Sequence, residues 1–284
     1  MPRARFPHTI RRPSQRVALS LATLVGLCSL SVSLVRSEAI GTSAFDRLIE
    51  NSFSQAGIPL DRCSWILVEG RSRRAQRWPD LNSPVPMGSL LKPFAALAYA
   101  QMADLNDPVV DCTGERCWLP SGHGQVRISD AIANSCNAYF EELAARTPPS
   151  AVRVAAGQLG LPAPPPEAPP NAYWGLAADW RLHPVAIITA YQELARRQRG
   201  PIIEGLRMAA RRGTAAGVGQ GLAKTGTAPC IHVGSGRGSN GDGYAIVLYP
   251  AEVPRYTILL RLHGRTGREA ANAAGIAFKA LLSP

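Results

Sequence analysis

The sequence predicts an α+β fold: one antiparallel sheet of about five strands, flanked by helices, with an all-helical lobe inserted into it. Three observations carry that expectation. Two strand-like runs lie early in the chain and three lie late. The segments between them follow the helical apolar period rather than the alternation of strands. A last apolar segment, Thr266 to Leu282, returns to a helical pattern after the final strand.

Ala44–Gln55 is the first expected helix, with Phe45, Leu48, Ile49 and Phe53 on one face. Cys63–Val68 is a short apolar run suited to a buried strand. A Glu69-Gly70-Arg71 turn then leads into an arginine-rich edge strand ending near Trp78. Met87–Ala103 is a long apolar helix whose Pro93 is tolerated because it falls in the first turn. Residues 104–126 have loop composition. Ser129-Asp130 is the expected cap of a helix that breaks near Asn134 and resumes toward Ala145. Leu161–Asn171 is proline-rich and extended, and His183–Arg197 is an amphipathic helix. Strands are expected at Leu222–Val233, Tyr244–Tyr249 and Tyr256–Leu262. The string Gly236-x-Gly238-x-x-Gly241 matches a dinucleotide fingerprint, but it joins two strands and opens no helix, so it is read as a hairpin loop.

Composition narrows the function classes. The 284 residues are 46% hydrophobic and 18% charged, which excludes a disordered chain. Only Val17–Val35 approaches the length and apolarity of a membrane span, which excludes a polytopic membrane protein. The net charge is +11, but residues 1–39 hold six arginines against one glutamate, and the remaining +6 is scattered. With no basic–aromatic interleaving and no zinc-finger spacing, no nucleic-acid partner is expected. Residues 1–39 are read as a basic leader with a signal peptide or a retained anchor, and residues 40–284 as the catalytic domain. Either form of the leader implies a periplasmic or otherwise extracytoplasmic domain, anchored to the inner membrane through residues 17–35 if the leader stays. Lipidation at Cys28 is not expected, because Leu27 precedes it.

Export would put Cys63, Cys112, Cys117, Cys136 and Cys230 in an oxidising space. Cys112 and Cys117 bracket a short Thr-Gly-Glu-Arg turn and are the candidate disulfide, with two reduced loop thiols as the alternative. No metal site is expected, since no Cys or His pair at structural-zinc spacing lies near a second pair.

The lysine count directs attention to chemistry. Only Lys92, Lys224 and Lys279 occur among 31 basic residues. Arginine replaces lysine as a surface charge but not where the amine must lose its proton. Lys92 follows Ser89 by three residues, a spacing that puts both on one helix face, in an otherwise apolar segment. A serine needs a neighbouring base to become a nucleophile, and a buried lysine amine can be that base. Ser135-Cys136-Asn137 interrupts the second helix and offers a hydroxyl and an amide; alone, it reads as a simple helix break. Lys224-Thr225-Gly226-Thr227 lies in a strand, where glycine admits a close backbone approach and the hydroxyls and ammonium can hold a carboxylate.

Together and in this order, the three motifs resemble those of the penicillin-recognising serine acyltransferases: penicillin-binding transpeptidases, D,D-carboxypeptidases and serine β-lactamases. Gly88-Ser89-Leu90-Leu91-Lys92-Pro93-Phe94, Cys117-Trp118 with Gly122-His123-Gly124, Ser135-Cys136-Asn137-Ala138-Tyr139-Phe140 and Ala223–Ala228 are similar to the transpeptidase branch in particular. The resemblance covers about residues 42–283 and implies a D,D-peptidase/β-lactamase-like fold. It implies Ser89 as the acylated nucleophile, Lys92 as its base and Ser135 as the proton relay. Asn137 would hold the substrate amide, while Lys224, Thr225, Gly226 and Thr227 would line the carboxylate subsite. The N–H groups of Ser89 and Thr227 would form the oxyanion hole. The implied substrates are D-alanyl-D-alanine stem peptides of peptidoglycan, with β-lactams as covalent inhibitors, no cofactor, and a cell-wall partner protein as a candidate.

Two branches and a non-enzymatic role are alternatives. Class D β-lactamases carry valine where Asn137 stands, and they have a Tyr-Gly-Asn signature missing here. Glu167 and Asn171 have the four-residue spacing of the class A deacylating pair, but they sit in Pro164–Asn171, read as a solvated linker. A domain that β-lactams acylate once, as a sensor, would need a signalling segment that residues 1–16 do not resemble. With only residues 1–43 before the first helix, no pedestal domain is expected, which favours a free-standing enzyme or one serving a dedicated partner.

Overall fold

Five strands pair antiparallel in the order β2-β1-β9-β8-β7: β1 (Cys63–Glu69), β2 (Ser72–Arg77), β7 (Leu222–Ala228), β8 (Asp242–Tyr249) and β9 (Tyr256–His263). Two small ribbons complete the strands, β3 (Val85–Pro86) with β6 (Arg181–Leu182) and β4 (Val110–Cys112) with β5 (Gly124–Val126). The helices are α1 (Ala44–Gln55), α2 (Lys92–Met102), α3 (Ile128–Ala133), α4 (Asn137–Arg146), α5 (Pro149–Gln158), α6 (Pro184–Arg197), α7 (Pro201–Arg212) and α8 (Gly267–Leu282). The structure is a computed structural model, and it describes residues 43–102, 107–197, 200–229 and 241–283. The expected leader, Cys28, Cys230 and most of the glycine-rich stretch before β8 lie outside the described residues. No helix among the described residues is long and apolar enough to cross a membrane.

The sheet is buried on both faces, which explains why its strands read as apolar runs rather than alternating ones. Trp65 and Leu67 of β1 with Ile258 and Leu260 of β9 pack against α1 and α8, alongside Ile49, Phe53 and Phe278. Ile66, Ile246 and Leu259 face the other way, into the core shared with Phe94, Tyr139, Phe140 and Tyr191 of the helical lobe. β2 is the charged edge strand that the sequence predicts; only its Ala75 is buried. The first helix has a capping box, Ser43 with Asp46, and Asp46 also accepts a 2.9 Å hydrogen bond from Trp65 Nε1. Thr266 and Glu269 make the equivalent box at α8.

Several local expectations are corrected. Residues 110–126 are not all loop: they contain the β4–β5 ribbon, in register Cys112↔Gly124. Ser129 and Asp130 do not cap α3; Arg127 is the cap position, and Asp107 Oδ1 accepts from the N–H of Ile128 at 3.0 Å. The expected continuous helix from Met87 begins instead as a 3₁₀ turn, Gly88–Leu91, before α2. Pro93 accounts for this: it has no N–H to bond the carbonyl of Ser89, which instead accepts from Lys92 three residues on. Helices α5 and α7 are additions to the elements that the sequence predicts, and α7 buries Ile202, Ile203, Leu206, Ala209 and Ala210 at helical spacing.

Candidate active site

Ser89 sits in the 3₁₀ turn ahead of α2, half-buried at the edge of a cleft. Tyr191 of α6 fixes this turn by donating to the Leu90 carbonyl at 2.7 Å. Gly88 has φ +56, and a Cβ there would lie 2.3 Å from the Thr227 carbonyl oxygen. A Cβ on Gly226 would lie 2.5 Å from the Met87 carbonyl oxygen. The nucleophile turn and β7 therefore pass backbone against backbone, which only glycine at both positions permits. This is a second use for the glycine of the Lys-Thr-Gly motif, beyond room for substrate.

One turn further on, Lys92 is fully buried. Its Nζ donates to Ser135 O at 2.7 Å, to Ser135 Oγ at 3.3 Å and to Asn137 Oδ1 at 2.6 Å. No carboxylate is bonded to it among the described residues. Burial pulls its amine down from 10.5 to about 7, against a smaller upward pull from Cys136 and Cys117. Near neutrality the side chain is thus a base rather than a fixed cation.

Ser135 occupies the break between α3 and α4 with φ +54, the left-handed region that a non-glycine residue enters at a cost of about 1–3 kcal/mol. External contacts hold it there. Trp118 Nε1 donates to the carbonyls of Asn134 and Ser135 at 3.0 and 3.1 Å, and the Cys136 N–H bonds the Ala131 carbonyl at 2.9 Å. The strained turn places Ser135 Oγ between two amines, since Lys224 Nζ of β7 lies 3.0 Å away. Lys224 is also fully buried, and burial first, then the neighbouring Lys92 charge, holds its amine well below the ordinary lysine range.

The two threonines of β7 differ. Thr225 is buried and donates to Thr214 Oγ1 at 2.6 Å. Thr227 is exposed, and its Oγ1 accepts from the Gly267 N–H at 3.0 Å, which leaves its own proton free to donate outward. Asn137 likewise accepts from Lys92 through Oδ1 and keeps its NH₂ for a ligand. Ser89, Ser135, Asn137, Thr225, Gly226 and Thr227 line one cleft of about 520 Å³, and the two lysines are buried out of its lining, each bonded to Ser135.

The sequence did not single out Thr214, Leu176, Thr266, Gly267 or Arg268, which share the cleft wall. Trp118 braces the Ser135 turn, a role that the Cys117-Trp118 motif does not announce, and the Arg268 guanidinium lies 6.0 Å from its ring centre. Glu167 and Asn171 are exposed and neither lines the cleft. The expected Cys112–Cys117 bridge is not formed: both are free thiols, as are Cys63 and Cys136. The turn between them sends both sulfurs toward a third point, where His123 Nδ1 and Cys136 Sγ also converge. The expectation that no metal-ligand set is present rested on spacing in the sequence, and the fold brings such a set together from residues that spacing keeps apart.

Solved structures share this architecture. PBP2 of Pseudomonas aeruginosa, in complex with WCK 5153, superposes with a TM-score of 0.66 at 17% identity, covering 84% of this chain and 74% of that one. The TP domain of Burkholderia pseudomallei penicillin-binding protein 3 gives 0.66 at 14% identity, over 84% of this chain and 92% of that one. PBP2 of Helicobacter pylori, in complex with MreC, gives 0.63 at 13% identity, over 84% and 62%. The fold is therefore that of penicillin-binding transpeptidase domains. A search of curated protein sequences finds no match. Residues 66–201, a little under half of the chain, match the penicillin-binding protein transpeptidase domain family.

Proposed function

We propose that the domain is a serine acyltransferase acting on D-alanyl-D-alanine stem peptides of peptidoglycan, as a D,D-transpeptidase or carboxypeptidase, and that penicillin acylates it. One observation carries this reading: a buried, carboxylate-free Lys92 amine held near neutrality, one turn from Ser89 and bonded to Ser135 and Asn137.

In the proposed reaction, Ser89 Oγ attacks the carbonyl carbon of the penultimate D-alanine and its proton passes to Lys92 Nζ. The N–H groups of Ser89 and Thr227 hold the oxyanion, a role supported by the close passage of the Gly88 turn against Thr227 of β7. Ser135, bonded to both amines, returns a proton to the departing nitrogen, and D-alanine leaves. Asn137 holds the acyl-side amide through its NH₂. Lys224 supplies positive potential and the outward-donating Thr227 receives the terminal carboxylate, while Thr225, whose proton goes to Thr214, lines the same wall of the cleft. An amine acceptor or water then resolves the Ser89 ester. No observation favours a β-lactamase of the class A type, because Glu167 stands outside the cleft.

This function places the domain outside the cytoplasmic membrane, where stem peptides are, in keeping with the export expected of residues 1–39. The Helicobacter pylori relative is a complex with MreC, and that precedent supports a cell-wall partner for this chain too. The test is intact mass of the full chain mixed with benzylpenicillin, followed by D-alanine release from a stem pentapeptide. A lasting single adduct with release of D-alanine supports the reading. Rapid loss of the adduct with consumption of drug would mean a β-lactamase, and no adduct would remove the acyltransferase reading.

A further inference from the structure

We infer that Cys112, Cys117, His123 and Cys136 form a closed tetrahedral site for one zinc ion, which ties the β4–β5 ribbon to the Ser135 turn. The four donor atoms all lie within 4.8 Å of one another. His123 Nδ1 is 3.5 Å from Cys112 Sγ and 3.4 Å from Cys117 Sγ, and Cys117 Sγ is 3.9 Å from Cys136 Sγ. Zinc bonds of about 2.3 Å to sulfur and about 2.0–2.1 Å to nitrogen, at tetrahedral angles, require about 3.8 Å between sulfurs and about 3.5 Å between sulfur and nitrogen. These three separations match those of ligands around a shared ion. The Cys117–Cys136 distance is far too long for a disulfide, whose sulfurs stand about 2.05 Å apart, and Cys112 is likewise unbridged.

The donor set selects the ion. Three sulfurs with one imidazole suit zinc rather than the oxygen-seeking calcium or magnesium. Four protein ligands leave no open position, so the site is structural and not catalytic. Binding sends the three thiol protons to solvent and leaves the metal centre with one net negative charge.

The ligands come from separate pieces of chain. Cys112 ends β4, Cys117 follows the turn, and His123 precedes β5 with its N–H bonded to the Cys112 carbonyl at 3.0 Å. Cys136 is the cap residue of α4, between Ser135 and Asn137. Cys117 Sγ also accepts the Asn137 N–H at 3.4 Å, a bond that suits a metal-bound thiolate. The metal therefore anchors the residue that follows the strained Ser135 and precedes Asn137. This goes beyond the acyltransferase reading and does not depend on it.

The test uses the full chain, purified without metal-affinity resin. Its zinc content is measured, and iodoacetamide labelling of the folded protein is mapped by peptide, with and without a zinc chelator and separately with a thiol-free reductant. One zinc per chain is expected, with Cys112, Cys117 and Cys136 protected until the chelator is added. Cobalt(II) added to the chelated protein should give thiolate-to-cobalt absorption, and His123→Ala should lose its metal to a chelator that the wild type withstands. Protection released by reductant alone would establish a disulfide and overturn the inference. So would free labelling of all three thiols with no zinc bound and none taken up, or iron in place of zinc. None of these readouts uses penicillin, so failure here is distinct from failure of the acyltransferase reading.

Discussion

Raising the pH from 6 to 8 should speed acylation of Ser89 by penicillin about tenfold, and further increase should do little. The perturbation acts on Lys92, which must be a neutral amine to take the Ser89 proton. With the amine at about 7 rather than 10.5, it is about one-tenth neutral at pH 6, half at pH 7 and nine-tenths at pH 8. The direction follows from burial, which disfavours the charged form, so the competent state is gained as pH rises through the shifted value. A lysine at its ordinary value would behave differently, gaining tenfold in neutral fraction for every unit up to about pH 10.

Lys224 shares Ser135 with Lys92 and is lowered by the same burial, so the limb belongs to the pair and its midpoint is a property of both. The assay is the second-order rate of adduct formation, read by intact mass at limiting benzylpenicillin across pH 5.5–9.5. Lys92→Arg should be slower by about 10²–10⁴-fold and should lose the limb, because a guanidinium stays protonated throughout. A wild-type rate that is flat from pH 6 to 8, or one that climbs tenfold per unit to pH 9.5, would refute Lys92 as the base.

Three further outcomes are expected. Ser89→Ala should abolish covalent labelling while leaving the thermal transition in place, and an adduct retained by that variant would remove Ser89 from its role. Gly226→Ala should cost about 1–3 kcal/mol and slow acylation together, because its Cβ would stand 2.5 Å from the Met87 carbonyl oxygen, a backbone atom that cannot swing away; a variant with wild-type melting and rate would contradict the close passage. Thr266→Ala should cost about 1 kcal/mol in denaturant unfolding by removing one half of the α8 capping box, and an unchanged midpoint would show that the box contributes nothing.

The sheet was legible because its strands are buried on both faces, and a run such as Cys63–Val68 has no other use. Both capped ends of the fold, α1 and α8, were legible for a local reason: cap and apolar stripe lie within a few residues of each other. The lobe was less so. The cap of α3 comes from Asp107, twenty-one residues before the N–H it satisfies, and no local pattern announces a partner at that distance. The lysines were the most informative residues of the site, since a chain that uses arginine nearly everywhere kept lysine where an amine is buried beside Ser135. Thr214 was invisible because it reaches Thr225 from a connecting segment of no motif.

In the sequence each donor of the cysteine–histidine cluster has another use: Cys112 and Cys117 suit a disulfide across a short turn, His123 lies in Gly122-His123-Gly124, and Cys136 is the middle residue of Ser135-Cys136-Asn137. Sequence spacing favours metal sites built from two short pairs, and this one takes three donors from a ribbon and its turn, and the fourth from a helix cap. The placement has a physical logic. A non-glycine residue at φ +54 stays there only if its neighbours overdetermine it, and the Ser135 turn carries the proton relay of the proposed reaction. Trp118 bonds the turn from one side, and Cys136 would tether it from the other through the metal. The cost of the strained conformation is then met by residues outside the cleft, and Ser135 Oγ is left to the two lysines.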